Sequence, residues 1–306
     1  MNAVKTTVAA LVLGAANLAS AQTSAPTHAS KPAAAQPAQP AAEHDAMMMH
    51  EGDHSIPGDS PLFKNVKLEI VSPKEGEVVA GPEMEIQFKL TGYELPGQQP
   101  GPHIHVIIDN QPYQPDYDAS KPFKVTGLSP GPHTLRAFPS RPWHESIKAP
   151  HAFAMAHFFV GKKEIAKNLP NWPSPTKPLL TFSRPKGNYA GEDAKKVMID
   201  FYLTNAKLSP TGDKVKLVLD GQESMLTEWK PVWKEGLANG THKISLDLVD
   251  KNGKPIENVF NHTEREFTIN AAPTAPTVGA PTTPSTPAAQ PSTQPAPPPA
   301  PPPAAH

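Results

Sequence analysis

The stretch that decides the fold is residues 104–110, IHVIIDN, because this strand-like run returns in altered form later in the chain. Residues 215–221, VKLVLDG, repeat its alternate apolar positions and its closing aspartate followed by a turn residue. Four more pairs of similar segments occur in the same order in both halves of this region. They are residues 68–76 and 180–187, 84–90 and 197–203, 131–135 and 240–244, and 158–160 and 267–269. The chain therefore contains one structural unit written twice.

Each copy consists of short runs of alternating apolar and polar residues, separated by Gly, Pro or Asn, which is typical of antiparallel strands. The strand number and spacing favour a seven-strand Ig-like sandwich. We predict an all-β protein with two tandem Ig-like β-sandwich domains at residues 62–161 and 179–270, joined by a Pro-rich linker at residues 162–178. Over residues 62–270 the pattern resembles bacterial exported Ig-like or fibronectin-like envelope proteins, a resemblance of architecture that names no ligand.

The two ends of the sequence have compositions unlike the repeated unit. Residues 1–21 are predicted to be a signal peptide, with Lys5, an apolar run at 8–18 and the small residues ASA at 19–21. The expected location is therefore periplasmic, cell-surface or secreted. The His/Met/Pro/Ala-rich residues 22–61 and the Pro/Ala/Thr-rich residues 271–306 are predicted to be disordered, because neither tail can bury enough apolar surface.

Several classes of protein are disfavoured by composition. The chain has no cysteine, which excludes disulfides, thiolate metal ligands and cysteine nucleophiles. Its formal net charge is -1 and no basic stripe stands out, so nucleic acid is not an expected partner. No segment approaches the roughly 20 apolar residues of a transmembrane helix. No phosphate loop or nucleophile elbow is present, and we predict a protein that is not an enzyme.

The second copy serves as a comparison for the first. His103 and His105 align with Lys214 and Lys216. The alternate positions are apolar in both copies, since Ile104, Val106 and Ile108 align with Val215, Leu217 and Leu219. Because strand side chains alternate between faces, we expect the apolar set to face the core and both histidines to face outward. Two imidazoles at positions i and i+2 lie about 6.6 Å apart at Cα and can chelate one Zn²⁺ or Cu²⁺ ion.

The same comparison predicts a distinctive outer face on the first domain. This face carries His, Met, Arg and aromatic side chains where the second copy carries Lys, Glu, Ser, Asp and Thr. Its members are His103, His105, Ile107, Arg136, Phe138, Met155, His157 and Phe159. We expect either a ligand or partner surface, or a face covered by the linker or the second domain. As a metal site it would take His157 as third ligand and Met155 as a thioether ligand that favours Cu(I).

A second group of candidate metal ligands lies in the N-terminal tail at residues 43–54, EHDAMMMHEGDH. These ligands are His44, Met47, Met48, Met49, His50 and His54. In composition the stretch resembles the His/Met-rich segments of periplasmic copper-handling proteins, which implies loose copper capture; the alternative is a polar spacer. Residues 50–54 match the H-E-x-x-H motif of metalloproteases, but Gly52 and Pro57 disfavour the helix that this motif needs.

A polar and aromatic loop, residues 141–148 (RPWHESIK), precedes the last strand of the first domain. Trp143 is predicted either to stack on a sugar or peptide, oriented by Arg141, Glu145 and Lys148, or to cap the sandwich. His144 is interpreted as loop surface. His133 and His242 occupy the same position in both copies, so they are interpreted as architectural.

These features together predict an exported envelope protein that binds or scaffolds, with no required cofactor and with possible capture of copper or zinc. Its expected partner is an envelope protein or a cell-wall or polysaccharide component. Two alternatives remain open. One is a purely structural surface or assembly module without a small ligand. The other is a cell-wall hydrolase of unfamiliar type, which would need paired carboxylates facing a cleft.

Overall fold

The computed structural model describes residues 63–164 and 169–271. These two segments consist of β-strands and connecting loops, and they contain no helix of the length and hydrophobicity that a membrane span requires. The predicted signal peptide, the tail at residues 22–61 and residues 272–306 lie outside the described residues. The strands are β1 Lys67–Ser72, β2 Glu77–Val79, β3 Met84–Thr91, β4 His103–Ile108, β5 Gln114–Asp116, β6 Phe123–Val125, β7 Gly131–Ser140, β8 Ala154–Val160, β9 Leu179–Arg184, β10 Gly187–Ala190, β11 Lys196–Thr204, β12 Lys214–Leu219, β13 Gln222–Leu226, β14 Val232–Glu235, β15 Gly240–Val249 and β16 His262–Asn270.

The strands form two β-sandwiches of identical topology, which confirms the prediction of tandem all-β domains. In the first domain a three-stranded sheet, β1-β3-β6, faces a five-stranded sheet, β2-β8-β7-β4-β5. In the second domain β9-β11-β14 faces β10-β16-β15-β12-β13. Each sandwich has eight strands rather than the predicted seven. The first strand breaks at Pro73 or Pro185, which lack the N–H that a ladder needs, and its continuation pairs in parallel with β8 or β16 in the other sheet.

The predicted strand parity is confirmed by the cores. Ile104, Val106 and Ile108 of β4 lie in the buried core of the first sandwich. The aligned residues of β12 lie in the core of the second. His103 and His105 therefore point away from their own sandwich core, as the alternation of strand side chains requires.

In each domain an equivalent histidine contacts the aspartate that follows the fourth strand. His133 Nδ1 lies 2.9 Å from Asp109 Oδ2, its Nε2 lies 2.7 Å from Ser129 O, and its ring stacks on Phe158. His242 repeats all three contacts, with the Asp220 carboxylate 2.6 Å from its Nδ1. The repetition in both copies supports the architectural interpretation of these two residues.

Replacing Asp109 with asparagine should remove a stabilisation that depends on pH. Burial lowers the pKa of His133, but the Asp109 carboxylate and the Ser129 carbonyl outweigh burial, so the pKa is raised. A raised folded-state pKa stabilises the fold fully below the unfolded value of about 6.5, and this stabilisation is lost as pH rises through the folded-state pKa. We expect Asp109→Asn to lower the free energy of unfolding by roughly 1 kcal/mol at acidic pH.

Urea unfolding at several pH values measures this difference, which should vanish above the folded-state pKa of His133. Asp220→Asn is the matched control in the second domain. Its carboxylate is 43% exposed whereas that of Asp109 is 14% exposed, so the control should show a smaller loss. A loss that is constant with pH would contradict the assignment of a protonated His133.

The outer face of the first domain's five-stranded sheet lies against the second domain. Ile107 and Phe138 are buried in one apolar cluster with Tyr202 of β11. Arg136 is fully buried, and its Nη1 donates to Thr181 Oγ1 on β9 at 2.8 Å. Burial, together with the nearby Arg265 cation, lowers the pKa of Arg136 to about 9. The expectation that this face is a free binding surface is therefore wrong, because a three-stranded sheet of the second domain covers it.

The linker covers the other end of the same face. The Trp172 ring stacks on His157 with centroids 4.4 Å apart and also contacts Phe159 at 4.9 Å. His157 Nε2 lies 3.0 Å from Pro173 O, and its Nδ1 lies 3.0 Å from Glu75 Oε1. Of the two alternatives for this face, the structure shows the covered one.

Candidate metal centre

Two of the predicted histidines lie side by side at the start of β4. His103 and His105 are both fully buried, on the side of the strand that faces the second domain. Their Nε2 atoms are 3.1 Å apart. His103 pairs with Ser140 at the end of β7, and Ser140 Oγ donates to the His103 carbonyl at 3.1 Å. The end of β7 is therefore fixed directly beside the two imidazoles.

A third histidine arrives from the loop that follows β7. The loop turns back on itself, since Arg141 N donates to Glu145 O and Ile147 N donates to Pro139 O, both at 2.8 Å. His144 stands in the turn with a left-handed φ of 68°. Its Nδ1 lies 2.8 Å from His103 Nε2. The interpretation of His144 as loop surface is wrong, because the folded loop presses its ring against β4 and leaves 8% of the residue exposed.

The three imidazoles bring one nitrogen each to a common point. Ligand atoms of His103, His105 and His144 all lie within 4.8 Å of one another. In a tetrahedral zinc site with Zn–N bonds of 2.0–2.1 Å, neighbouring nitrogens are about 3.3–3.4 Å apart. The two short nitrogen–nitrogen distances, 2.8 and 3.1 Å, are near that spacing. Two of the three separations are therefore close to those of a single ion's ligand set, and the third lies within 4.8 Å.

Hydrogen bonds hold the three imidazoles in place. His103 Nδ1 lies 2.8 Å from Gly101 O and must carry the proton, so its Nε2 presents a single lone pair. That lone pair faces both His105 Nε2 and His144 Nδ1, either of which can donate to it. A metal ion would instead engage all three lone pairs at once. The Gly101 carbonyl and Ser183 Oγ, 3.0 Å from His105 Nδ1, would then hold the outer ring nitrogens, as is usual around bound metals.

The surroundings of His105 and His144 favour the neutral form of the imidazole. Burial lowers the pKa of His105 well below its usual value, and the neighbouring His103 and His144 and the cations Arg184 and Lys186 lower it further. Burial, Arg184, His103 and Lys186 act in the same direction on the pKa of His144. Neutral imidazole is the state that a metal ion requires of a histidine ligand.

A tyrosine from the turn after β4 completes the cluster. The Tyr113 ring stacks on His105 with centroids 3.5 Å apart and planes at 6°. Its Oη lies 3.0 Å from His144 Nδ1, and Arg184 Nε donates to the same oxygen at 3.0 Å. Lys186 Nζ lies 3.9 Å above the Tyr113 ring. Two cations of the second domain therefore stand next to the three imidazoles of the first.

A small surface cavity of about 30 Å³ lies near this cluster. It is lined by one residue of the loop after β7 and by residues of the second domain: Trp143, Arg184, Tyr189, Asp193, Lys196, Met198 and Trp233. Trp143 precedes His144 and Arg184 contacts Tyr113, so the cavity lies next to residues that adjoin the imidazoles.

The structure does not bring the other two predicted ligands of this face to the cluster. His105 pairs with Phe138 of β7, whereas His157 pairs with Thr134 of the same strand. Four residues along a strand separate them by about 14 Å. Met155 is half-buried on β8, two residues before His157, and is not in the histidine group. His144 thus takes the place that the sequence interpretation gave to His157, because parity fixes the face of a strand but not the position along it.

The loop residues predicted to contact a ligand contact the protein itself. Trp143 Nε1 donates to Glu145 Oε2 at 3.0 Å, and the Arg141 guanidinium lies 5.0 Å above the Trp143 ring. Lys148 Nζ is 2.6 Å from Asp200 Oδ1 in the second domain. Arg141, Glu145 and Lys148 are buried, so the prediction that they orient a surface ligand is wrong. Trp143 is half-buried and lines the cavity beside the histidines.

The candidate ligands in the tail, residues 44–54, lie outside the described residues, and loose copper capture there stays a prediction. Sequence reasoning missed His144 and Tyr113. The signal that pointed to His144 was the dense polar loop next to β7, which has a blander counterpart in the second copy. Tyr113 carried no such signal, since a single tyrosine after a strand is common in sandwiches.

No protein-family model matches this chain, and no curated protein sequence matches it. Among solved structures, the fibronectin(III)-like modules of Clostridium thermocellum CbhA align with 17% identity over 67% of this chain and 94% of theirs, at a TM-score of 0.24. The Bacteroides ovatus glucan-utilization protein SGBP-B, solved with a mixed-linkage heptasaccharide, aligns with 15% identity over 67% and 71%, at 0.21. A putative membrane-anchored protein of Corynebacterium diphtheriae aligns with 13% identity over 68% and 59%, at 0.22. Similarities with TM-scores this low support neither a common function nor a common ligand.

Proposed function

We propose that this protein is an exported metal-binding module that holds one transition-metal ion at His103, His105 and His144. The observation that carries the proposal is the convergence of three buried imidazole nitrogens within 4.8 Å. The predicted signal peptide supports a location outside the cytoplasm. The buried contact between the two sandwiches supports a scaffold role for the second domain, which backs the metal-bearing strand.

The donor set favours zinc or Cu(II). Imidazole nitrogen is a borderline ligand that suits both ions, whereas Cu(I) is favoured by thioether and thiolate sulfur. The methionine that was expected to supply a thioether, Met155, lies on β8 away from the three histidines. Three protein ligands and a neighbouring cavity are the usual arrangement of a zinc ion that keeps one position for another group.

Metal titration of the whole chain tests this function. The chain should bind one Zn²⁺ or one Cu²⁺ per molecule at the core site, measured by calorimetry and by metal analysis after dialysis. A variant without the candidate tail ligands distinguishes metal binding at the core site from binding by the tail. In this variant serine replaces His44, Met47, Met48, Met49, His50 and His54. In that background His144→Ala should weaken binding by on the order of 100-fold or more, since losing a ligand costs at least as much as losing an outer-shell partner.

The matched control is His151→Ala, which removes an exposed histidine of the same loop. It should leave affinity and stoichiometry unchanged. Far-UV circular dichroism of the His144→Ala chain separates a lost ligand from a lost fold. Equal binding by the parent and His144→Ala chains would contradict the proposal and favour the structural or assembly module that takes no small ligand.

A further inference from the structure

Ser183 brings a hydroxyl of the second domain to one of the candidate ligands. Leu180 and Phe182 of β9 lie in the core of the second sandwich, so the alternate residues Thr181 and Ser183 face the first domain. Ser183 is fully buried there, and its Oγ lies 3.0 Å from His105 Nδ1. The hydroxyl is therefore held against the ring of His105.

The first domain shows that the fold itself does not require a hydroxyl at this position. Ser183 aligns with Val71 of β1, which is 44% exposed. A hydroxyl that is buried without a hydrogen bond costs free energy, whereas a buried apolar side chain has no such cost. His105 supplies the hydrogen-bond partner that makes a buried serine favourable here. The pairing is thus specific to the face that carries the histidines.

This hydrogen bond can determine which nitrogen of His105 binds an ion. A serine hydroxyl can accept from Nδ1–H, and an imidazole with its hydrogen on Nδ1 presents its lone pair at Nε2. Nε2 is the His105 atom that lies 3.1 Å from His103 Nε2. The Gly101 carbonyl acts in the same way on His103, whose Nδ1 it faces at 2.8 Å. Outer hydrogen bonds from both domains therefore direct two ligand atoms towards one another.

We propose that Ser183 is a positioning residue of the metal site, and that the second domain therefore takes part in metal binding. This inference rests on the proposed metal-binding function. Ser183 does not touch the ion; it holds the His105 ring in the tautomer and orientation in which Nε2 is the ligand atom. Coupling of this kind is reciprocal, so an ion that gains affinity from the Ser183 hydrogen bond stabilises that hydrogen bond by the same amount.

Zinc affinity in Ser183 variants tests the inference. The parent is the full-length chain with the six tail ligands replaced by serine, titrated with Zn²⁺ in competition with a chelator of known affinity. Ser183→Ala should weaken Zn²⁺ binding by roughly 10- to 100-fold, the usual cost of removing an outer partner of a metal ligand. Ser183→Thr keeps the hydroxyl and should stay closer to the parent. Saturating Zn²⁺ should also raise the midpoint of thermal unfolding less in Ser183→Ala than in the parent.

Thr181→Val is the matched control, because it removes a buried hydroxyl from the same face of the same strand. Thr181 Oγ1 accepts from Arg136 Nη1 at 2.8 Å, a contact with the first domain that involves no histidine. We expect this variant to lower the stability of the fold and to leave the Zn²⁺ affinity unchanged.

Pulsed electron paramagnetic resonance of the Cu²⁺-loaded chains gives a second readout, which a loss of stability alone would not change. It detects the outer nitrogen of each bound imidazole and responds to the hydrogen bond that this nitrogen makes. The signal of one outer nitrogen should change in Ser183→Ala and should stay as in the parent in Thr181→Val.

Parent-like Zn²⁺ affinity in Ser183→Ala overturns the inference, as does an equal loss of affinity in Ser183→Ala and Thr181→Val. Both results leave the metal site itself intact. Equal binding by the parent and His144→Ala chains is a different result. It contradicts the proposed metal-binding function, and the role of Ser183 falls with it.

Discussion

Lys148→Met is expected to lower the free energy of unfolding by about 3–5 kcal/mol, because it leaves the buried Asp200 carboxylate without its cationic partner. The Lys148 and Asp200 side chains are 1% and 0% exposed, and Nζ lies 2.6 Å from Oδ1. Ser146 also contacts the carboxylate, through its N–H at 3.2 Å and its hydroxyl at 3.1 Å. Without the ammonium group these two hydrogen bonds are all that offsets the desolvation of a full negative charge.

Urea unfolding monitored by tryptophan fluorescence measures this loss. The double variant Lys148→Met/Asp200→Asn is the informative control, because asparagine has nearly the same volume and still accepts from Ser146 without a charge. It should recover more than half of the lost stability, and the coupling between the two sites should exceed about 1 kcal/mol. A single-variant loss below that value would show that water reaches the pair.

Tyr202→Ala is expected to have an effect of similar size on the apolar part of the same interface. The Tyr202 ring contacts Phe138 at 4.9 Å, Phe153 at 5.2 Å and Trp229 at 5.0 Å. Its hydroxyl donates to Ala149 O at 2.7 Å. Removing a buried aromatic ring of this kind costs about 3–5 kcal/mol through lost burial and the remaining cavity.

Two further variants distinguish the contribution of the Tyr202 ring from that of its hydroxyl and from that of an exposed strand position. Tyr202→Phe keeps the ring but removes the hydroxyl, which donates to Ala149 O and accepts from Ala149 N, and should cost roughly 1–2 kcal/mol. Lys89→Ala changes the aligned position on β3 of the first domain, which is exposed, and should stay within about 0.5 kcal/mol. Hydrogen exchange of β7 and β11 locates the loss, which should be greatest where the domains meet. Equal protection in the Tyr202→Ala and parent chains would contradict the assignment of this ring to the interface.

The all-β fold with tandem sandwiches and the buried residues of β4 and β12 followed from the repeat, because period-2 alternation determines which side chains are buried. The covering of the outer face did not follow, although the second copy held a clue to it. Along β11 the outward residues Met198, Asp200 and Tyr202 align with Glu85, Gln87 and Lys89 of β3. Both copies thus carry one unusual face each, and the two faces bury one another. A comparison of the five-stranded sheets alone reveals the unusual face of the first domain but not the matching face of the second.

The candidate site was predictable in part for a different reason. Alternation placed His103 and His105 together, since it depends on neighbours within one strand. The position of His144 depends on a turn with left-handed backbone and on the pairing of the loop with β7, and neither is visible in residue types. His157 was assigned to the right face but to the wrong end of the sheet, because register along the strands was not determined by the repeat.

The buried contact between β7 and β11 also changes what counts as a module in this protein. Tandem sandwiches are commonly treated as independent domains that can be separated, reordered or grafted. Here either sandwich alone would expose aromatic rings to water, together with the charge of Lys148 or Asp200 without its partner. Such a surface is prone to self-association. The two sandwiches therefore form one structural unit, and a fragment that ends at the linker would expose this interface.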